Sequence, residues 1–574
     1  MLLNDQGIGL ASAGPTLVDL FLCEQQRLPA VDRFTREVDR VGPPEQSRYY
    51  STLLPASPPG PGQQYAFEVD LDRCSGCKGC VVACHSLNGL DELETWRDVG
   101  LLIGGSELAP VMQHVTTACH HCLEPACLNA CPVNAYEKDA RTGIVKHLDD
   151  QCFGCQYCTL ACPYDVPKYH AKKGIVRKCD MCSNRLSQRE APACVQACPH
   201  SAIAIRVVDV SRVMENAEVD DFLPGAPEPH LTLPTTTYKT NRVFPRNMLP
   251  VDYHSINAQH PHWPLIVMLV LTQLSVGAFT VGCWLDSSLD AGSAALLRPY
   301  QATCALLLGL LALGASTCHL GRPLYAFRGL LGLRHSWLSR EILAFGLFSG
   351  LAVPYAAVCW LSSRPAGLTV PGATALIAAL PALGLGVAGV GIAGVFCSVM
   401  IYVFTKRELW SIERTLVRFG LTTAVLGIAT TWLSLMILGV VVHDPATTQL
   451  THELTPVLAR ALLLASVLKL AVDLTLLRHL ANFRHTPLKR SALLVAGVLW
   501  RYGAVRFVAG TVGGVFIPLW ILGEVSRTGS LPGGWFSIVA TLMVWAGCLV
   551  GELFERYLFF AAVSAPRMPG GVRP

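Results

Sequence analysis

From Trp263 onward the chain is a succession of apolar runs, near 263–285, 299–318, 341–362, 374–404, 416–442, 456–477, 503–525 and 536–562, separated by short polar loops. Each run is about as long as a helix must be to cross a hydrocarbon core, roughly 20 residues for 30 Å. The pattern therefore predicts eight spanning helices over 263–562. The seventh is the least regular, because Arg501 and Arg506 crowd its start and Pro518 interrupts it. Ahead of Trp263 the pattern changes. Residues 67–210 are polar and lack long apolar runs. Residues 211–262 turn to Pro, Thr, Asn and His without periodicity and read as an extended linker. Within 1–66, the stretch Leu17 to Val38 places Leu20, Phe21, Leu28, Val31 and Phe34 at helical spacing, which suits a helix packed locally or a docking helix for a partner subunit. The Pro/Gly/Ser stretch Pro55 to Pro61 closes that extension, and 563–574 form a C-terminal tail.

The loops carry an orientation signal. Fourteen basic residues fall on the side of the N-terminal region: Arg322, Arg328, Arg334, Arg340, Lys406, Arg407, Arg414, Arg478, Arg484, Lys489, Arg490, Arg501, Arg567 and Arg573. Three fall on the other, Arg298, Arg364 and Arg527. The positive-inside rule then sets residues 67–210 in the cytoplasm, on a multi-pass protein of the inner membrane. Met1 to Pro15 shows neither a secretory pattern nor a twin-arginine pair. Across the 574 residues 15% are charged, well below the roughly 25% of soluble globular proteins. The net charge of +4 carries no nucleic-acid signature. Span interiors read as almost free of charge. The exception is Lys469 and Asp473, four residues apart in the sixth run and expected to pair with each other. Gly389-Val-Gly-Ile-Ala-Gly394 matches a dinucleotide fingerprint by its letters, but inside an apolar run it reads as small residues permitting close helix packing.

Of 23 cysteines, sixteen lie between Cys74 and Cys198. They form four groups: Cys74, Cys77, Cys80, Cys84; Cys119, Cys122, Cys127, Cys131; Cys152, Cys155, Cys158, Cys162; and Cys179, Cys182, Cys194, Cys198. The first and third follow C-x2-C-x2-C-x3-C, and Pro132, Pro163 and Pro199 close the last three. This is the ferredoxin run, in which three close thiolates hold one cluster and the fourth reaches a neighbour. Sixteen thiolates supply four [4Fe–4S] clusters with none left over. A disulfide framework needs an oxidising compartment, and a tetrahedral zinc site has no use for close triplets followed by x3-C-Pro. Fully thiolate-ligated clusters leave no open position for substrate, so the domain moves single electrons and carries no catalytic residue of its own. Lys78, Lys168, Arg177 and Lys178 lie near ligands in sequence and either tune cluster potentials or are plain solvated surface. The remaining cysteines, mostly in or beside spans, act as small apolar groups.

At this level the chain resembles the dimethyl sulfoxide reductase family of molybdenum enzymes. Residues 67–210 are similar to its four-cluster electron-transfer subunit, through CHHCLEPACLNACPVNA and CFGCQYCTLACPYDVP. Residues 263–562 are similar to its eight-helix anchor, through His319-Leu-Gly-Arg-Pro-Leu, Ser336-Trp-Leu-Ser-Arg-Glu341, Ser398-Val-Met-Ile-Tyr and Glu555-Arg-Tyr-Leu-Phe-Phe. Two usually separate subunits look fused, which implies an α+β double-ferredoxin iron–sulfur domain followed by an all-α membrane domain. The resemblance also implies cross-paired ligands: Cys74, Cys77, Cys80 with Cys198; Cys179, Cys182, Cys194 with Cys84; Cys119, Cys122, Cys127 with Cys162; and Cys152, Cys155, Cys158 with Cys131. It implies a separate molybdopterin-containing catalytic subunit as well. The best-known relatives send their catalytic and iron–sulfur subunits to the periplasm, whereas the loop charges here favour a partner inside the cell.

A membrane-anchored electron wire needs a lipid-soluble partner, and a quinol such as menaquinol or ubiquinol is the natural one. Its oxidation releases two electrons and two protons and calls for titratable groups near a cluster. His319, Arg322 and Glu341 stand at the boundary on the cluster side, and the resemblance implicates the His and Glu in menaquinol binding. No histidine lies in a span interior, so the anchor is expected to hold no haem. The favoured reading is quinol oxidation feeding four clusters and a molybdenum subunit that reduces an S- or N-oxide or an oxyanion. The rivals are the same wire reversed, as a quinone-reducing dehydrogenase or polysulfide-reductase-like complex, and a redox-regulated ion-translocating membrane protein.

Overall fold

A computed structural model describes residues 16–18, 20, 36, 40, 47–92, 94–363, 373–442, 444–529 and 535–570. Most of the Leu17–Val38 segment lies outside them. Among the described residues ten strands follow in chain order: β1 Gln63–Asp70, β2 Asp98–Gly105, β3 Pro110–Thr117, β4 Tyr136–Lys138, β5 Val145–His147, β6 Lys168–His170, β7 Ile175–Arg177, β8 Ile203–Asp209, β9 Thr237–Lys239 and β10 Leu249–Pro250. They make two three-stranded sheets, β8-β1-β9 and β10-β2-β3, and two hairpins, β4-β5 and β6-β7. Phe67, Val69, Val115, Ile203 and Ile205 close one core around Cys80, Cys119, Cys122, Cys179 and Cys194. Val145, Ile175 and Val176 from the hairpins close a second around Cys127, Cys131, Cys152 and Cys158. With so little apolar sequence available, the thiols themselves become core atoms.

Residues 211–262 are not a linker. They open inside the helix Val210–Glu218, then supply β9, parallel to β1, and β10, antiparallel to β2. Strands of two or three residues hold too little of a period to be seen in sequence, yet they cover sheet edges whose amides would otherwise stand unpaired. The tail also returns to this domain: Arg567 meets Asp252 at 2.5 Å and Met568 enters the core.

The membrane half contains eight long helices among the described residues: α1 Trp263–Ser288, α2 Ala291–Thr317, α3 Trp337–Ser362, α4 Leu380–Val403, α5 Ile412–Val442, α6 Pro445–Leu474, α7 Trp500–Thr528 and α8 Trp535–Ala561. Seven are long and apolar enough to cross a membrane; α6, which carries Arg460, Lys469 and Asp473, is the one outside that set. The irregularity of α7 becomes a π-helical turn at Val512–Phe516, just ahead of Pro518. A wider turn there accommodates the carbonyl that proline cannot bond. The central pair, α1 and α5, approach backbone to backbone: a Cβ on Gly277 would lie 2.0 Å from the Thr423 carbonyl oxygen. Gly391 and Gly394 of the false dinucleotide motif form notches for Phe348 and Phe345.

The bundle is far from free of buried charge. Lys469 and Asp473 do not pair with each other. Lys469 Nζ lies 3.5 Å from both Glu552 and Glu555 and donates to the Arg418 carbonyl at 2.9 Å. Asp473 is gripped by Arg506 at 2.9 Å and lies 3.7 Å from Arg418. Arg506 also reaches Glu552 at 3.0 Å, and Thr422 donates to Glu552 at 2.6 Å. Arg556 bonds Gln273 at 3.0 Å and lies 3.8 Å above the Phe419 ring. Four cations thus face three carboxylates, with aromatic faces taking up part of the surplus. The partners come from α5, α6, α7 and α8 near their domain-side ends, where sequence alone reads charge as boundary anchoring.

Removing one member of such a network strands its partners in low dielectric, at a cost of about 3–5 kcal/mol. Lys469→Met should therefore lower the thermal midpoint of the full chain in detergent markedly. Lys469→Met combined with Glu552→Gln should recover part of that loss, as a double-mutant cycle on the two midpoints would register.

Candidate metal centres

The thiols gather in four quartets, each around a small internal void. Cys74, Cys77, Cys80 and Cys198 line one; Cys84, Cys179, Cys182 and Cys194 a second; Cys119, Cys122, Cys127 and Cys162 a third; and Cys131, Cys152, Cys155 and Cys158 a fourth. This is the grouping that the resemblance implies. Among the described residues no set of His, Cys, Asp or Glu side chains closes tightly enough to hold a single metal ion. Sulfurs ringing a void suit a polynuclear cluster better than the short bonds of a zinc site.

Local backbone makes the rings possible. Gly76 and Lys78 flank Cys77, and Gly154 and Gln156 flank Cys155, all four with φ between 60° and 75°. Left-handed residues on both sides of the middle cysteine curl the backbone so that amides turn inward as a nest for negative charge. The Gly76 and Gly154 amides accordingly bond the Cys74 and Cys152 sulfurs. As free thiols most of these groups are hard to ionise: burial pushes Cys84 up to about 12 and Cys131 to about 11. Loading a cluster must then release protons, so assembly becomes easier as pH rises.

Buried cations sit between the quartets. Arg97, 2% exposed, donates to Thr116 at 3.1 Å; burial opposes its charge, but Cys194, Cys80, Cys179 and Cys84 outweigh that and raise its pKa. It bridges the first and second quartets. Lys178, 3% exposed, lies 3.6 Å from Cys119 Sγ and bonds the Cys179 carbonyl at 2.8 Å, bridging the second and third. Of the four basic residues singled out in sequence only Lys178 is so placed. Lys78 is exposed, and Lys168 and Arg177 pair with Asp165 and Glu94. Arg97 escaped notice because it is distant from every cysteine in sequence.

The fourth quartet abuts the bundle. Tyr157, next to Cys158, donates to the Ile401 carbonyl at 2.9 Å; Ser336 donates to the Ala130 carbonyl at 2.7 Å; and His335 bonds the Cys131 carbonyl at 3.0 Å. A Cβ on Gly154 would lie 2.2 Å from the Gly174 carbonyl oxygen and 3.0 Å from Gly321. Glu341 is buried on α3 and accepts from Ser398. Burial, then the charges of Glu341 and Cys155, raise the pKa of the Tyr157 hydroxyl. His319, in the turn after α2, has its Nδ1 buried without a partner. Burial and then His262 hold its imidazole down at about 4, hence neutral near pH 7. Its neighbour Leu320 packs on the core of the fourth quartet. Arg322 donates to the Lys173 and Asp149 carbonyls, which makes it a docking contact between the two halves.

Two family models match the protein: a 4Fe-4S dicluster domain over residues 110–208 and the DMSO reductase anchor subunit (DmsC) over residues 256–561. Among curated proteins, the B subunit of the anaerobic dimethyl sulfoxide reductase of Haemophilus influenzae is 34% identical over 31% of this chain and 91% of its own length. Its counterpart in Escherichia coli K12 is 34% identical over 31% of this chain and 89% of itself. The thiosulfate reductase electron transfer subunit PhsB of Salmonella typhi is 36% identical over 26% and 79%.

Replacing Lys178 with Met removes one unit charge beside the second and third quartets. At about 6 Å and an effective dielectric near 20 this amounts to about 3 kcal/mol, or on the order of 100 mV for one electron. Redox titration followed by electron paramagnetic resonance should show reduction midpoints falling by that order in the variant.

Proposed function

This protein belongs to the DMSO reductase anchor subunit family, with a 4Fe-4S domain similar to the reductase B subunit fused ahead of the anchor, and from that premise we propose that it carries electrons between membrane quinol and a molybdopterin catalytic subunit. Each quartet holds one [4Fe–4S] cluster, and the bound clusters supply single-electron transfer. The anchor spans the membrane eight times, α6 included, with the cluster domain facing the cytoplasm. The catalytic subunit docks at the first quartet, where Cys77 and Lys78 are exposed and Val82 offers an uncovered apolar side chain.

The observation that carries this reading is the linear order of the quartets. Arg97 joins the first to the second, Lys178 joins the second to the third, and the fourth rests on the bundle. Such a series has an exposed end for a soluble partner and a buried end for a membrane partner. At the buried end the protein's own groups handle protons. Glu341, steadied by Ser398, is a carboxylate next to Tyr157 of the fourth quartet's loop. His319, neutral and with a free buried nitrogen, borders the same quartet through Leu320. The two form the quinol site from different helix ends, and Arg322 contributes by holding the halves together. The favoured direction runs from quinol to an S- or N-oxide or an oxyanion, and relative potentials decide it against the reversed wire. The buried ionic network favours a second reading, ion translocation. Among the described residues that network stays near the domain-side ends of α5 to α8 and forms no path across the bundle.

Purified protein should hold about sixteen irons, four for each quartet. Glu341→Gln and His319→Ala should each slow quinol oxidation by about 100-fold or more, as expected for loss of a positioned acid or base, with iron content unchanged. Unaltered rates in both variants would remove the site from this face of the anchor.

A further inference from the structure

Between the cysteine-rich domain and the helix ends lies a cavity of about 530 Å³ that the electron-transfer reading leaves unused. Its walls include Leu160 and Asp165 of the domain, the turn after α4 with Lys406 and Arg407, Arg490 of the helix Pro487–Ala496, and Arg567 of the tail. We propose that this cavity binds a phosphate-bearing anion, either the headgroup phosphate of a phospholipid or free phosphate.

The charge inventory points that way. Four carboxylates line the cavity: Asp252 is taken by Arg567 at 2.5 Å and Asp165 by Lys168 at 2.7 Å, while Glu228 and Glu408 are exposed. Among the described residues, none of Lys406, Arg407 and Arg490 forms an ion pair, although Asp165 acts on Arg407 at longer range, which leaves three cations against the exposed Glu228 and Glu408. Arg407 is only 7% exposed: one Nη donates to the Leu160 carbonyl at 3.1 Å, its guanidinium lies 4.8 Å above Trp410, and its Nε is buried without a partner. Arg490, half-buried, is likewise stacked, 4.4 Å above Tyr253, with its Nε unpartnered. Aromatic rings thus hold two guanidinium planes in place while N–H donors remain unspent. A buried cation with unsatisfied donors is costly unless an anion completes it.

The chemistry and the location agree. Two separate guanidinium groups and an ammonium need an acceptor with several oxygens in different directions, which a phosphate offers and a quinone ring does not. The cavity lies at the level of the helix ends, where headgroups sit, and basic pockets between spanning helices on the cytoplasmic side suit anionic lipids. Its volume accommodates a whole glycerophosphate group.

The test uses the full-length protein, delipidated in detergent. Phosphatidylglycerol mixed micelles are compared with dioleoylglycerol micelles, which lack the phosphate, and inorganic phosphate is compared with chloride at equal ionic strength. Thermal midpoint and native mass spectrometry are the readouts. Phosphatidylglycerol should raise the wild-type midpoint and persist as an adduct, with about tenfold lower occupancy in Arg407→Gln/Arg490→Gln. Arg407→Lys should fall between. A response to inorganic phosphate without a lipid adduct assigns the site to the free anion. The proposal is overturned if neither probe shifts the wild type, or if the double variant, with full iron content, responds as the wild type does. Should the double variant not fold, the wild-type comparison decides alone.

Discussion

Where Gly154, Gly174 and Gly321 meet, two protein halves approach to backbone contact, and no side chain fits between them. That closeness sets how near the fourth thiol quartet lies to α3 and α4, and so whether Glu341 and His319 can belong to the same machinery as the cysteines. It also explains the surrounding hydrogen bonds. The carbonyls of Ala130 and Cys131 would be left unpaired at a buried seam, and Ser336 and His335 from the anchor satisfy them, while Arg322 and Arg328 bond the Asp149 and Asp150 carbonyls at the exposed rim. The anchor thus completes the cluster domain as well as tethering it.

The same economy governs charge. In the cluster domain Arg97 and Lys178 are buried because thiolates surround them. In the bundle Arg418, Lys469, Arg506 and Arg556 are buried because Asp473, Glu552 and Glu555 face them. Both sets are tolerable only as wholes. At the boundary cavity the set is incomplete, since the buried Arg407 and the half-buried Arg490 each keep an Nε without a partner and form no ion pair, and there an anion from outside completes it.

The position of each helix was legible because long apolar runs are read by length and apolarity alone, although α2 and α6 start eight and eleven residues ahead of their runs. All eight runs correspond to long helices, and the irregular seventh, interrupted in sequence by Pro518, stays continuous through a π turn just ahead of that proline. The edge strands of 211–262 were not legible, since two or three residues carry no periodicity. Nor was the ionic network, because Arg418, Arg506, Glu552 and Glu555 lie near span ends and charge at an end is ordinarily solvated. Their partnership depends on which helix faces which.

What the sequence by itself determined is the chemistry in store: sixteen thiols at ferredoxin spacing, a run of apolar helices and a sidedness of basic loops, all properties of neighbours along the chain. What only tertiary structure decided is that Arg97 stands between two quartets, that Arg322 docks the two halves, and that Arg407, Arg490 and Arg567 border one cavity. These are relations between segments distant in sequence, brought together by packing, and periodicity cannot encode a distance across the fold.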